Sequence, residues 1–317
     1  MRILLVKTSS LGDVIHNLPV VSDIRRQLPN ATVDWCAEEN FAAIPRLHPG
    51  VDWVIPLALR RWRKRIFDGA TWREIGAFRA RLQENAYDIV LDTQGLFKSA
   101  LIARQANGPV SGYNADTARE SVSSYFYRHR FPVSTQAHAV VRNRQLAAAA
   151  LGYALPGPPD YGINSPVANF DWLPGQPYVT CLTATSRDDK LWPESHWQLL
   201  GQTLKSLGYA VVLPGGSALE RERAARLASL IPAAVAAPQL DIPQLAAVLA
   251  GSAAVVGVDT GLTHLAAALK IPTVALYTAT DPGLTGVLGA GFFSNLGGKA
   301  QIPAPDAVLD ELAQVLG

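Results

Sequence analysis

Residues 253–282, AAVVGVDTGLTHLAAALKIPTVALYTATDP, decide how the chain is read. Residues 253–258 form the short, apolar, β-branched run that a buried parallel strand requires. Asp259-Thr260-Gly261 makes a turn, and residues 262–269 continue as an alanine-rich helix that Lys270 and Pro272 bring to an end. Residues 273–277 are a second strand, so the stretch is one β-α-β unit. Such a unit carries a helix N-terminus to the carboxyl end of a parallel strand. There the unpaired backbone N–H groups and the positive end of the helix dipole attract an anion. Gly261 lets a bulky anion approach the backbone, Thr260 adds a hydroxyl donor, and His264 lies one turn along on the same face. A pyrophosphate fits that description. Plainer readings stand beside it, with Asp259 only a helix N-cap and His264 only a half-buried, satisfied histidine. Asp-Thr-Gly is also the aspartic-protease signature, but a single copy that runs into helix argues against a carboxylate dyad.

The same alternation runs through the rest of the 317 residues. Strands are predicted at 3–6, 32–37, 52–57, 87–92 and 110–113. Helices are predicted at 14–28, 41–47, 71–86, 117–127 and 138–151, with a further one entered through the Gln94-Gly95 turn. The helix over 71–86 places Trp72, Ile75, Phe78 and Leu82 on one face. Prolines and glycines then interrupt all periodicity up to Pro177, which reads as a connection between domains. The pattern restarts with strands at 178–183, 209–213 and 233–236. Helices follow these at 194–207, 219–230 and 241–249, and a last helix at 306–316 closes the chain beyond the β-α-β unit. Two α/β domains are expected, 1–160 and 178–317, with 161–177 as linker.

Hydrophobic residues make up 49% and charged residues 17%, which is ordinary globular composition. A net charge of +2 implies no general affinity for nucleic acid. Cys36 and Cys181 both fall in predicted strands as small apolar residues, consistent with a reducing compartment. Residues 3–6 are too short for a signal sequence, and no apolar run is long enough to span a bilayer. The expected location is the cytoplasm.

A second candidate site follows the first strand, in KTSSLGDVIHNLP at 7–19. Thr8, Ser9 and Ser10 bring hydroxyls beside Gly12, and Asp13 stands at the helix start. As a minimum Asp13 is an N-cap; as a functional group it is a carboxylate at the end of the first strand. The helix dipole would keep it ionised and able to accept a proton. In the other half, Thr185, Ser186 and Lys190 follow the strand at 178–183 and are suited to phosphate oxygens, although such a string is more often a solvated loop. Arg60-Arg61-Trp62-Arg63-Lys64-Arg65 is the one concentrated basic run. With so little basic surplus elsewhere it suits an anionic substrate or lipid headgroups, and Arg119 could add to it.

KTSSLGDVIHNLP, the RRWRK run, TSRDDKLWPESHW and VDTGLTHLAAA together resemble the ADP-heptose:lipopolysaccharide heptosyltransferases, in order and across both halves, with the type I branch nearest. The resemblance implies the GT-B architecture, two Rossmann-like domains facing across a cleft, with a last helix that packs back on the N-terminal domain. It implies inverting transfer of L-glycero-D-manno-heptose from ADP-heptose to the Kdo of Kdo2-lipid A. Asp13 would be the general base. Thr185, Ser186 and Lys190 would hold the diphosphate, with Thr260, Gly261 and His264 on its other side, and Gly12, Glu220 and Asp259 would complete the donor site. Ser10, Arg60, Arg61, Arg63, Lys64 and Arg119 would meet the acceptor. Peripheral contact with the cytoplasmic face of the inner membrane follows from such an acceptor. No Asp-x-Asp metal pair is evident, so neither a metal nor another cofactor is expected. The type II branch, a sugar-nucleotide 2-epimerase of the same architecture and a non-catalytic nucleotide-binding module are the rival readings. An epimerase leaves the basic run unexplained, and a binding module leaves Asp13 without a task.

Overall fold

The structure is a computed structural model that describes residues 1–316. The chain divides into two compact units, Met1–Asn164 and a second from Ser165 onward. The first holds six strands, β1 Arg2–Val6, β2 Thr32–Glu38, β3 Trp53–Leu57, β4 Ile89–Asp92, β5 Val110–Tyr113 and β6 His129–Phe131. They form one sheet in the order β3-β2-β1-β4-β5-β6, with every pairing parallel. The second unit repeats the plan with β7 Tyr178–Leu182, β8 Ala210–Leu213, β9 Ala234–Ala236, β10 Ala254–Val258, β11 Thr273–Tyr277 and β12 Phe293–Gly297. Its order, β12-β11-β10-β7-β8-β9, is again all parallel.

Counted from its own first strand, each sheet has the doubly wound order in which strand one lies beside strand four. The winding reverses there, so helices leave in opposite directions and a crevice opens at the carboxyl ends of the two strands. These are the paired Rossmann-like units of the GT-B class. The central strands are largely apolar because both their faces are covered. Ile3, Leu4, Leu5 and Val6 are wholly buried, as are Val255, Val256 and Val258. A buried bidentate pair, Arg144 to Asp23 at 2.7 and 3.0 Å, joins the helix Ala139–Leu151 to the helix Leu18–Gln27. Cys36 and Cys181 are free thiols, buried one in each sheet.

Several expectations are corrected. The helix predicted over 14–28 is two helices, Leu11–Ile15 and Leu18–Gln27, because Pro19 sits in the first turn of a new one. Residues 117–127 are turns and a 3-10 segment, Ser121–Phe126; Ser124 donates to the Ser121 carbonyl, and such side chains compete with helical bonding. Strands β6 and β12 carry no apolar alternation and went unpredicted; both are edge strands. Trp72 was expected on the buried face of its helix, Gly69–Gln83, and is exposed. The stretch 161–177 is largely not a free linker. Tyr161 is buried in the first unit, while Phe170, Trp172 and Leu173 pack against Tyr178, Ala210, Val212 and Val248 of the second. The terminal helix Pro305–Leu316 buries one face in the core of the second unit. There Val308, Leu312 and Leu316 join Trp197, Leu200 and Leu204, and Tyr209 Oη donates to the Leu316 carbonyl at 2.7 Å.

Leu312→Ala is therefore expected to destabilise the second unit by about 2–5 kcal/mol, the usual result of a cavity in a packed core. Urea unfolding measures it; a loss below about 0.5 kcal/mol, typical of surface positions, would place this helix outside the core.

Candidate active site

The crevice of the first unit is lined by the loop after β1 and the turn after β4, and buried polar groups bind the two together. Lys7, 4% exposed, points inward and donates to the Thr93 carbonyl at 2.8 Å and to Asn143 Oδ1 at 3.3 Å. Gln94 Oε1 accepts from both Thr8 N and Thr8 Oγ1 at 2.7 Å, and its Nε2 donates to the Ser9 carbonyl at 2.8 Å. Gln94 is in turn fixed by the buried Asp92, which accepts from Gln94 N at 2.9 Å, Ser99 Oγ at 2.7 Å and Tyr127 Oη at 2.8 Å. Tyr127 reaches Asp92 because residue 112 is glycine; a Cβ there would lie 2.4 Å from the tyrosine ring. Gly95 completes the turn at a φ of +68°, which favours glycine.

This scaffold delivers Asp13. It is not the N-cap but the third residue of the helix Leu11–Ile15, whose N-cap is Ser10. Asp13 Oδ2 accepts from Ser10 N at 2.9 Å and Ser10 Oγ at 3.0 Å, the reciprocal half of a capping box. Arg119 Nη1 lies 3.2 Å from the other oxygen. Burial alone would raise the Asp13 carboxyl; the charges of Lys7 and Arg119 and the Ser10 N–H outweigh it and hold the group at about 2. The same burial lowers the Lys7 ammonium to about 8. The Asp13 side chain remains 24% exposed, so an ionised carboxylate faces a position that a ligand can reach.

In the second unit the loops after β7 and β10 are joined in the same way. Thr185 Oγ1 donates to the Asp259 carbonyl at 3.0 Å. Lys190 Nζ donates to Asp259 Oδ2 at 2.6 Å, Thr280 Oγ1 donates to the same oxygen at 2.7 Å, and His264 Nε2 stands 4.0 Å from Oδ1. Burial pushes the Asp259 carboxyl up, but the nearby His264 and the hydrogen bonds from Lys190 and Thr280 prevail and hold it well below the usual carboxylate range. Thr260 is the N-cap of the helix Gly261–Ala268, with extended backbone and a hydroxyl that makes no capping bond. That hydroxyl and the first helical amides are donors for an anion. Gly257 is required in β10, since a Cβ there would meet Thr263 Oγ1 at 2.3 Å. After β8, Glu220 Oε2 accepts from Gly216 N and Ser217 N, both at 2.8 Å, inside a second capping box. An acid after the second strand of such a sheet is placed to meet a ribose.

Most residues singled out from the sequence fall at these two crevices. In the first unit these are Ser10, Gly12, Asp13 and Arg119, though Arg119 is tied to Asp13 rather than free for a ligand. In the second, Thr185, Lys190, Asp259, Thr260, Gly261 and His264 cluster, with Ser186 exposed beside them. The basic run divides. Arg60 donates its backbone N–H to Glu38, which itself bonds the Thr8 carbonyl, so Arg60 flanks the Asp13 loop. Arg61 is held by Glu39 and Glu74, and Arg63 and Lys64 are exposed without a salt bridge among the described residues. Sequence reasoning missed Lys7, Gln94 and Thr280. Lys7 and Gln94 sit at strand ends where their neighbours drew the eye, and nothing in the local pattern tells a buried lysine or glutamine from an exposed one.

Residues 75–300 match glycosyltransferase family 9, the heptosyltransferases. The chain belongs to that family. It is 49% identical over 292 residues to lipopolysaccharide heptosyltransferase 1 of Pseudomonas aeruginosa, covering 91% of this chain and 82% of that one. The E. coli heptosyltransferase WaaC with ADP superposes with a TM-score of 0.90 at 42% identity, over 99% of both chains. WaaC with ADP-2-deoxy-2-fluoro heptose gives 0.88 at 40% identity, again over 99% of both. The chain is thus a glycosyltransferase.

Two outcomes test the first crevice. Gln94→Leu removes the bonds that fix Thr8 and Ser9, and is expected to lower kcat about 100-fold while ADP affinity, measured by calorimetry, stays unchanged. An equal loss of ADP affinity would remove this positioning role. The fold lowers the Asp13 pKa from 3.8 to about 2, so its ionisation is complete over the neutral range. The kcat/KM profile should show no acid limb from this group above pH about 4, and Arg119→Ala should move that limb to higher pH.

Proposed function

We propose that this glycosyltransferase moves L-glycero-D-manno-heptose from ADP-heptose to the Kdo of Kdo2-lipid A, inverting the anomeric centre, in assembly of the lipopolysaccharide inner core. The observation that carries the reading is Asp13, an ionised, partly exposed carboxylate on a rigid loop, in a chain so similar to heptosyltransferase 1. Asp13 accepts the proton of the Kdo hydroxyl as its oxygen attacks the anomeric carbon. The bond from that carbon to the diphosphate breaks, and ADP leaves with the electron pair.

The leaving diphosphate is met by Lys190, Thr185, Ser186, the Thr260 hydroxyl and the amides at the start of the helix Gly261–Ala268, with His264 beside them. These donors stabilise the charge that grows on departure. Glu220, with Oε2 engaged by backbone, offers Oε1 to the ribose. No metal or other cofactor is needed when a lysine and a helix N-terminus supply the positive potential.

Both key cations begin in ion pairs, Arg119 with Asp13 and Lys190 with Asp259. The acceptor carboxylate draws Arg119 away, aided by Ser10, Arg60, Arg63 and Lys64. That departure removes a positive charge from Asp13 and makes it a stronger base at the moment it is required. The diphosphate draws Lys190 from Asp259, which keeps its bond from Thr280. The lipid on the acceptor brings the chain to the cytoplasmic face of the inner membrane.

The decisive experiment offers purified protein ADP-heptose with Kdo2-lipid A, or with the same lipid already carrying one heptose. Transfer to the first alone is expected; transfer only to the second would assign the type II reaction, and none to either would end the proposal. Asp13→Ala should reduce turnover at least about 1,000-fold with ADP affinity nearly intact, whereas Lys190→Ala should weaken both. Chelation with EDTA should leave the rate unchanged.

A further inference from the structure

Between the basic run and the helix Gly69–Gln83, the first unit presents apolar side chains to solvent. Phe67 is fully exposed, Trp72 is 57% exposed and Ile66 49%. Single exposed apolar residues are ordinary, but three on one turn are not. Ile66 and Trp72 border an apolar cavity of about 190 Å³ whose walls also include Leu59, Trp62, Ile75 and Ile102.

The turn is built to keep these groups outward. Trp72 Nε1 donates to the Ile66 carbonyl at 2.8 Å, so the polar edge of the indole is satisfied inside the protein. Asp68 caps the helix through Ala70 N at 2.9 Å, and Asp68 N and Arg65 N are bonded to the Arg65 and Trp62 carbonyls. These bonds lower the cost of taking this part of the tip into an apolar medium. Exposed Arg63, Lys64, Arg65 and Arg73 surround it, and none forms a salt bridge among the described residues. An apolar tip ringed by cations is complementary to a bilayer with anionic headgroups.

A second link joins this surface to Asp13. Ile102, in the wall of the cavity, is near the end of the helix Phe97–Ala103, and Lys98 in its first turn donates to Ser9 Oγ at 3.3 Å. A helix of 7 residues is about 10 Å long. The cavity and the loop of the base are thus on one short rigid element.

We propose that residues 63–72 dock the first unit on an anionic lipid surface, with Ile66, Phe67 and Trp72 entering the acyl region and the adjoining cavity taking part of an acyl chain. Arg63, Lys64, Arg65 and Arg73 bind the headgroup phosphates. A sugar carried by a lipid in that surface then reaches Asp13 while its acyl chains stay in the membrane. This rests on the proposed lipid acceptor for its purpose, though not for its test.

Flotation with phosphatidylcholine vesicles, with and without phosphatidylglycerol, tests it directly. The native protein is expected to float only with phosphatidylglycerol present, less so in high salt. The double variant Ile66→Ser, Phe67→Ser should lose at least about tenfold in partitioning. Trp72 emission, read as the difference from Trp72→Phe, should be quenched by lipids brominated on their acyl chains. Transfer to a deacylated, water-soluble acceptor should be equal in native and double-variant protein, which shows the variant folded. Vesicle binding unaffected by the double substitution, or absent in the native protein, would overturn the proposal, as would capture of an acidic protein in place of vesicles. Should neither protein transfer heptose to any acceptor while vesicle binding still differs, the function assigned above fails and the docking surface stands.

Discussion

Two loops cannot share a crevice unless something fixes their spacing, and in both sheets this is done by hydrogen bonds across the point where the winding reverses. In the first unit, Gln94 from the turn after β4 holds Thr8 and Ser9 from the loop after β1. In the second, Thr185 and Lys190 from the loop after β7 hold Asp259 from the turn after β10. The sheet order makes the crevice, but these bonds set its width and aim its side chains. Binding and catalysis tolerate little error in such positions, which accounts for the buried polar groups beneath each loop. Asp92, Tyr127 and Ser99 are costly to bury singly and become a rigid mount when they satisfy one another.

A common electrostatic logic also connects the crevices. Each places a carboxylate among cations and hydrogen-bond donors strong enough to keep it ionised despite burial, and each leaves one long cationic side chain in contact with it. A cation beside a protein carboxylate is not a buried charge without a partner, so each pair is stable in itself. An incoming anion exchanges one partner for another rather than creating a new pair from solvent, which moderates the gain in affinity and sharpens selection for groups that match the geometry.

The architecture was legible because parallel sheets covered on both faces require continuous apolar strands, and 253–282 displays two of them around a helix. Turn residues singled out Asp13 and Asp259, and both lie in the loops at the carboxyl ends of β1 and β10. Their local roles were less legible: Asp13 is the third residue of its helix, closing a capping box, and Asp259 precedes the N-cap, a distinction of register that depends on tertiary contacts. The short edge strands β6 and β12 lack a periodic signal, and Trp72 sits at a core spacing while facing outward. Lys7 and Gln94 show the limit most plainly. What matters in both is the direction of the side chain, and that is fixed by strands 80 or more residues apart in sequence.

The two cysteines have a practical meaning. Burial raises the pKa of both thiols, so both are protected from thiolate chemistry while the sheets are intact. Because Cys36 belongs to one sheet and Cys181 to the other, each becomes reactive only when its own half of the molecule opens. The rate at which an alkylating reagent modifies either one therefore reports the opening of that half separately, a native pair of probes for which half yields first.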